Sequence, residues 1–434
     1  MAYHDRTTSR LDPIRLRERG RSWRRRAKPY LLALGPGLLA ASAGNDAGGI
    51  ATYASAGALY GYGLLWAMVI VTFFVGLVQE MSARLGAVTG KGFSDLVREN
   101  FSLRTAALIL LTLFIANVGI IVSEFVGVAA AAELFGISRY IAVPLAAVLV
   151  WLVITRGSYG RVEKILLALT LVFLAYIAAA FLARPDWREV LYATVHPRPR
   201  LELAYLQLLI ALIGTTISPY MQVYVQSSVV EKGVTPDEYR YTRFDVWAGT
   251  VFAGIVASFI IIATAATLYP RGIRIETAAD AAVALEPVAG QYASVLFGIG
   301  LLGASLLAAG VLPLATTYVM SEALGFERGV SRSWEEAPIF LGLFTGLVAL
   351  GAVLALVPGL PLFRVLVGVY VLNGLLLPIE LFAILSLINN RELMGPYVNR
   401  GLYNALAWAI AIVVSLLSFA LIAITILGWF GVNL

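Results

Sequence analysis

The sequence predicts an all-α, polytopic membrane protein with eleven transmembrane helices, of which the first and the sixth are interrupted. Three observations carry this. The 434-residue chain is 60% hydrophobic and only 13% charged, with a mean hydropathy of +0.84, whereas a soluble domain carries roughly 25% charged residues. Apolar runs of about 20 residues, enough to cross a bilayer as a helix, recur along its whole length. Two of those runs hold helix-weakening residues in their middles.

Taken in order, the runs cover approximately 31–56, 60–83, 104–134, 140–155, 164–183, 203–230, 246–269, 290–321, 336–357, 364–388 and 402–430. The first follows a basic, polar tail over 1–30 and contains "GNDAGG" at 44–49. Glu80 ends the second run one turn before Arg84, the spacing of a simple ion pair. Glu124 in the third and Glu380 in the tenth have no basic neighbour in sequence. The sixth contains "GTTISPY" at 214–220. Asp245 and Glu322 fall at run ends, where water is expected. Five spans separate the two interrupted ones, so the chain reads as two five-helix units, 31–183 and 203–388, entering the membrane with opposite sense, followed by an eleventh helix in 402–434.

Basic residues orient these spans. Of the 32 Lys and Arg, ten lie between Arg6 and Lys28, and fourteen more fall on that same side of the membrane. Eight remain for the other side, which puts the N-terminus in the cytoplasm and the C-terminus outside. The tail is expected to be an orientation signal against lipid headgroups rather than a nucleic-acid arm, and no cleavable signal peptide is expected. There is no Cys, and the two His, His4 and His196, lie in polar segments. Disulfides, thiolate sites and imidazole sites are thereby excluded from the membrane, and no nucleotide motif suggests an enzyme.

Asp46 is the centre of the functional reading. A bare carboxylate near the bilayer midplane costs about 2.5–3.5 kcal/mol on the insertion scale, and Gly44, Gly48 and Gly49 weaken the helix around it. A divalent cation offsets both, keeping the acid ionised and using the carbonyl oxygens that a break frees. Asp46 also suits the cap of a half-helix beginning at Ala47, unless Asn45 takes that role. In the sixth run stand Thr215, Thr216, Ser218, Tyr220 and Gln222, grouped around Pro219. One such hydroxyl often just bonds the carbonyl a turn back. Grouped, and facing an acid, they read as a hard-ligand surface. Interrupted helices in corresponding positions of two inverted halves point to a transporter's midplane site.

The stretch "GPGLLAASAGNDAGGIATYASAGALYGYGLLW" (35–66) and the following "MSARLGAVTGKGFSDLVREN" (81–100) resemble the Nramp family of divalent metal transporters. "SEFVGVAAAAELFG" (123–136), "FGIGLLGASLLAAG" (297–310) and "LLLPIELFAILSLINNRELMG" (375–395) extend the resemblance over the membrane region. It implies a LeuT-type architecture, with inverted repeats of spans one to five and six to ten plus an eleventh span. The family's Asp-Pro-Gly-Asn reads Asp46, Ala47, Gly48, Gly49 here, so the Asn ligand becomes a glycine. Its Met-Pro-His reads Ser218, Pro219, Tyr220, so a hydroxyl replaces a thioether. Two of the three third-span acids fall on Phe114 and Ile121, leaving Glu124, and the ninth span has no arginine. "NDAGG", "TTISPY" and "QSSVVEKG" look like the Nramp-related magnesium transporter branch.

Mg²⁺ is hard, prefers oxygen and sheds water reluctantly, while sulfur favours softer metals. A glycine at 49 is expected to enlarge the cavity for a partly hydrated ion. The expectation is an importer of Mg²⁺, with Mn²⁺ also accepted, working by alternating access without proton coupling. The metal would be held by Asp46, the Ala43 and Gly49 carbonyls and the Thr215 and Ser218 side chains. Asn45, Thr216, Tyr220, Gln222, Glu124, Tyr370 and Asn373 would stand behind these or line the pathway. The alternatives are a proton-coupled Mn²⁺/Fe²⁺ importer and a sodium-coupled symporter for a small organic substrate. The partners expected are the metal ion as substrate and the lipid bilayer, with the protein acting as a monomer and requiring no cofactor and no nucleic acid.

Overall fold

The computed structural model describes residues 36–156, 164, 174–286, 290–327, 329 and 332–429. The basic tail over 1–30, the opening of the first run, part of the fifth and the chain's end at 430–434 lie outside them. The helices are α1 (Pro36–Ala43), α2 (Ala47–Tyr60), α3 (Leu65–Thr89), α4 (Phe93–Asn100), α5 (Leu103–Leu134), α6 (Arg139–Arg156), α7 (Leu174–Leu182), α8 (Trp187–Val195), α9 (Leu203–Thr216), α10 (Pro219–Glu231), α11 (Tyr239–Thr267), α12 (Ala293–Leu324), α13 (Pro338–Ala355), α14 (Leu362–Ile388) and α15 (Gly401–Trp429).

Among the described residues, nine helical stretches are long and apolar enough to cross a bilayer. The first span escapes that measure because its break leaves pieces of 8 and 14 residues, and the fifth because its longest described helix is Leu174–Leu182. With those two the expected eleven are present, and the chain is an all-α polytopic membrane protein. A helix is the natural outcome for these runs, since in hydrocarbon every backbone N–H and C=O must find its partner within the segment.

Helix ends follow local chemistry. Ser102 Oγ accepts the Thr105 N–H at 3.3 Å to start α5, and Pro219 opens α10, where its missing N–H costs nothing. The helix α11 begins at Tyr239, seven residues before the apolar run. Hydropathy reports the thickness of hydrocarbon, and Tyr239 to Asp245 continue the same helix beyond it.

The second and seventh spans (α3, α11), the third and eighth (α5, α12) and the fourth and ninth (α6, α13) pack on one another. The first span lies on the seventh as the sixth lies on the second. The first three relations join counterparts five places apart, and the last two are one and the same relation repeated in each unit, as two inverted five-helix units require. Small residues let backbones meet: a Cβ on Gly37 would stand 2.6 Å from the Val246 backbone, and one on Gly249 2.6 Å from Leu38 Cα.

Two acids expected near water are buried instead. Asp245 accepts the N–H groups of Gly37 at 2.7 Å and Leu38 at 3.2 Å, capping the start of α1. Glu322 accepts from Ser94 N–H at 3.1 Å and Ser227 Oγ at 2.9 Å, tying α12 to α4 and α10. Glu80 does pair with Arg84, at 3.4 Å, and also receives the hydroxyls of Tyr239 and Tyr403.

Candidate metal site

The first break is built by a turn that stops α1. Gly44 N–H donates to Ala41 O at 3.2 Å and Asn45 N–H to Ser42 O at 3.0 Å. The Ala43 carbonyl is left with no donor among the described residues. Asp46 then takes an extended conformation and caps α2, its Oδ1 accepting the Gly49 N–H at 2.7 Å. The capping role foreseen for it is therefore real, and it leaves the second oxygen, Oδ2, to the hydroxyl of Tyr370. A second carboxylate joins from α5: Glu124 accepts the Ala47 N–H at 3.3 Å and the Ser123 hydroxyl at 3.2 Å. Both acids thus face the N-terminus of α2, whose amides carry positive partial charge. No ion pair among the described residues involves either.

The second break separates Thr216 from Pro219. Ser218 Oγ donates back to Gly214 O at 2.7 Å, and Asn373 of α14 donates to the same carbonyl at 2.6 Å and to Ser218 Oγ at 3.0 Å. The two breaks touch: Thr215 Oγ1 donates to Gly44 O at 3.4 Å, and Thr216 shares a hydrogen bond of 2.9 Å with Tyr53. Asp46 and Thr215 are thereby brought to one junction, with Ala43 one turn before it in the chain, Ser218 following Thr215, and Tyr370, Asn373 and Glu124 around it. Tyr220 and Gln222, in the first turn of α10, are buried with hydroxyl and amide lacking a hydrogen-bond partner among the described residues.

Three placements differ from expectation. Gly49 lies in the first turn of α2, so its carbonyl points along that helix toward residue 53 and away from the junction. Nor does Gly49 open space. A Cβ there would stand 2.5 Å from Gly44 O and 2.9 Å from Thr215 Oγ1, because the two breaks have closed over the position. Asn45 turns away from the site to donate to Ala253 O of α11 at 3.2 Å. Beside Gly44, Asn45 and Tyr53 a cavity of about 10 Å³ remains, room for one water-sized particle.

Sequence reasoning missed Met221 and Gln79. The Met221 methyl lies against Gly44, and its sulfur accepts from Gln79 Nε2 at 3.5 Å. The available signal was a methionine two residues after the helix-breaking proline, one of only six in the chain.

The family model of natural resistance-associated macrophage protein-like (Nramp) proteins matches residues 37–424. The chain belongs to the Nramp family. Curated relatives include the divalent metal cation transporter MntH of Deinococcus radiodurans, 28% identical over 413 residues, covering 91% of this chain and 90% of that protein. The MntH of Klebsiella pneumoniae is 29% identical over 410 residues, covering 92% and 96%. The manganese transporter of Eremococcus coleocola superposes with a TM-score of 0.73 at 20% identity, over 93% of this chain and 89% of that one. MhsT in complex with L-phenylalanine superposes at 0.56 and 15% identity, over 89% and 97%. The LeuT-type fold is thus shared beyond the family, and this Nramp protein is a divalent metal transporter. Its third and ninth spans meet through carbon: Gly351 of α13 packs against Ile121 and Phe125 of α5.

Proposed function

We propose that this Nramp protein imports Mg²⁺, with Mn²⁺ as a competing substrate, by alternating access between the repeats 31–183 and 203–388 and without proton coupling. The N-terminus is taken as cytoplasmic and the C-terminus as outside. The observation that carries the reading is the chemistry of the donors at the junction. Asp46, the Ala43 carbonyl, Thr215 and Ser218 offer oxygen alone, as a hard ion that retains part of its hydration shell requires. Met221 brings a sulfur nearby, but its methyl is what lies against Gly44, while the sulfur is held by Gln79.

Glu124 places a second carboxyl beside Asp46, and with both ionised a divalent ion at the junction would be neutralised. The same pair of acids occupies the amide-rich end of α2 that a substrate carboxylate would need, which counts against an organic anion as cargo. The apolar contact of α5 with α13 supports transport without a proton relay in that region. Uptake does not require one: a membrane potential of 100 mV contributes about 4.6 kcal/mol per divalent ion.

The relatives bear names that specify manganese or divalent metal cations, and this favours a second reading, a proton-coupled Mn²⁺ importer. One experiment separates the two. Purified protein in liposomes with an internal Mg²⁺ dye, Mn²⁺ as competitor and a parallel pH probe is expected to give saturable Mg²⁺ uptake with no acidification. Mn²⁺ uptake with acidification in step, and no Mg²⁺ signal, would establish the second reading instead.

A further inference from the structure

We propose that Tyr370 senses whether the metal site is filled: its hydroxyl holds Asp46 while the site is empty and gives way to the arriving cation. This rests on Asp46 being the charged ligand, as argued above. Both Asp46 oxygens are engaged, Oδ1 by the Gly49 N–H at 2.7 Å and Oδ2 by the Tyr370 hydroxyl. These donors differ in kind. The Gly49 N–H is fixed by the helix that it starts, whereas the hydroxyl can be withdrawn by rotation about its C–O bond or by a shift of α14.

The surroundings are shaped for that hydroxyl. Tyr370 is fully buried, and its ring lies on the bare backbone of Gly48, where any Cβ would fall on the ring edge. Asn373, one turn further along α14, is fastened to the second break through Gly214 O at 2.6 Å and Ser218 Oγ at 3.0 Å. A single helical turn therefore grips both interrupted spans, one through Tyr370 and the other through Asn373. A cation that displaces the hydroxyl removes the hydrogen bond from α14 to the first span and leaves those to the sixth in place. Occupancy is thereby passed to a helix outside the two broken ones.

A hydrogen bond to a charged group that must be broken before the metal binds weakens apparent affinity by about tenfold or more. Tyr370→Phe is therefore expected to tighten the Kd for Mn²⁺ and Mg²⁺, measured by calorimetry on the purified full chain, by about that factor. Its maximal uptake rate in liposomes is expected to fall, since the ion is held and the signal to α14 is lost. A role confined to packing, or as a metal ligand, predicts an unchanged or weaker Kd, and either result overturns the proposal. Gly48→Ala pushes the ring away while keeping the hydroxyl, and the same tightening is expected, so the two variants check each other. On the unsubstituted protein, Mn²⁺ is expected to shift the tyrosine ultraviolet difference spectrum; a flat spectrum overturns the proposal without any variant. Asp46→Ala marks the other kind of failure: undiminished metal binding there would sink the site assignment itself.

Discussion

Replacing Gly49 by alanine tests how tightly the two breaks close on each other. An ideal Cβ at this position stands 2.5 Å from Gly44 O, 2.9 Å from Thr215 Oγ1 and 3.1 Å from Asp46 Oδ1. The nearest of these is a backbone oxygen, which cannot rotate aside as a side chain would. Forcing one extra carbon into so filled a place costs about 1–3 kcal/mol, while alanine recovers up to ~1 kcal/mol over glycine within a helix. The net penalty reaches about 2 kcal/mol, and its Thr215 Oγ1 share, which only the closed arrangement carries, shifts that arrangement toward open forms by up to roughly 30-fold. The chain has no cysteine, so a single Ser42→Cys reporter reads this without background. Ser42 is fully buried, at the end of α1. Labelling of the reporter by a soluble maleimide is expected to accelerate by that factor when Gly49→Ala is added. An unchanged rate in a well-folded double variant would mean that the junction relaxes freely, and the packing argument would be wrong.

Asp46→Ala removes the charge that the junction is built around; saturable metal uptake is expected to vanish while the protein stays monodisperse on gel filtration, and persistent uptake would contradict the ligand assignment. Asp245→Ala leaves the Gly37 and Leu38 N–H groups without their 2.7 and 3.2 Å acceptors, a loss of about 1–2 kcal/mol. It should speed labelling at Ser42→Cys, and equal rates would show that α1 is held by its glycine contact alone. Asn373→Ala strips the Gly214 carbonyl of its 2.6 Å donor; a lower melting temperature, by about 1–3 kcal/mol of stability, is expected, with slower uptake.

Much of the architecture was legible because hydrocarbon imposes so few solutions. Apolar runs become helices, and a run that contains "GNDAGG" or "GTTISPY" has to stop and restart within the membrane. Asp46 could be singled out for the same reason: an acid in such a run demands compensation. What stayed hidden was set by residues far apart in the chain. Asn45 has its carbonyl partner 208 positions away at Ala253, and the Met221 sulfur has its donor 142 positions away at Gln79. Gly49 was misread from its own chemistry. A missing side chain suggests empty room, yet Gly44 of the same break and Thr215 of the sixth span fill that room. Asp245 and Glu322 sit where hydropathy ends, but hydropathy has no information about α1 and α4 covering them.

The hydrogen bonds that Asp46 receives from within the protein bear on the half of the cycle that carries nothing. A carrier driven downhill must travel back unloaded, and an exposed negative charge in a closed hydrocarbon interior would forbid that journey. With an amide and a phenol supplied by its own chain as counterparts, the carboxylate has partners inside the protein when no cargo is aboard, which is what the proposed uncoupled cycle asks of its return leg.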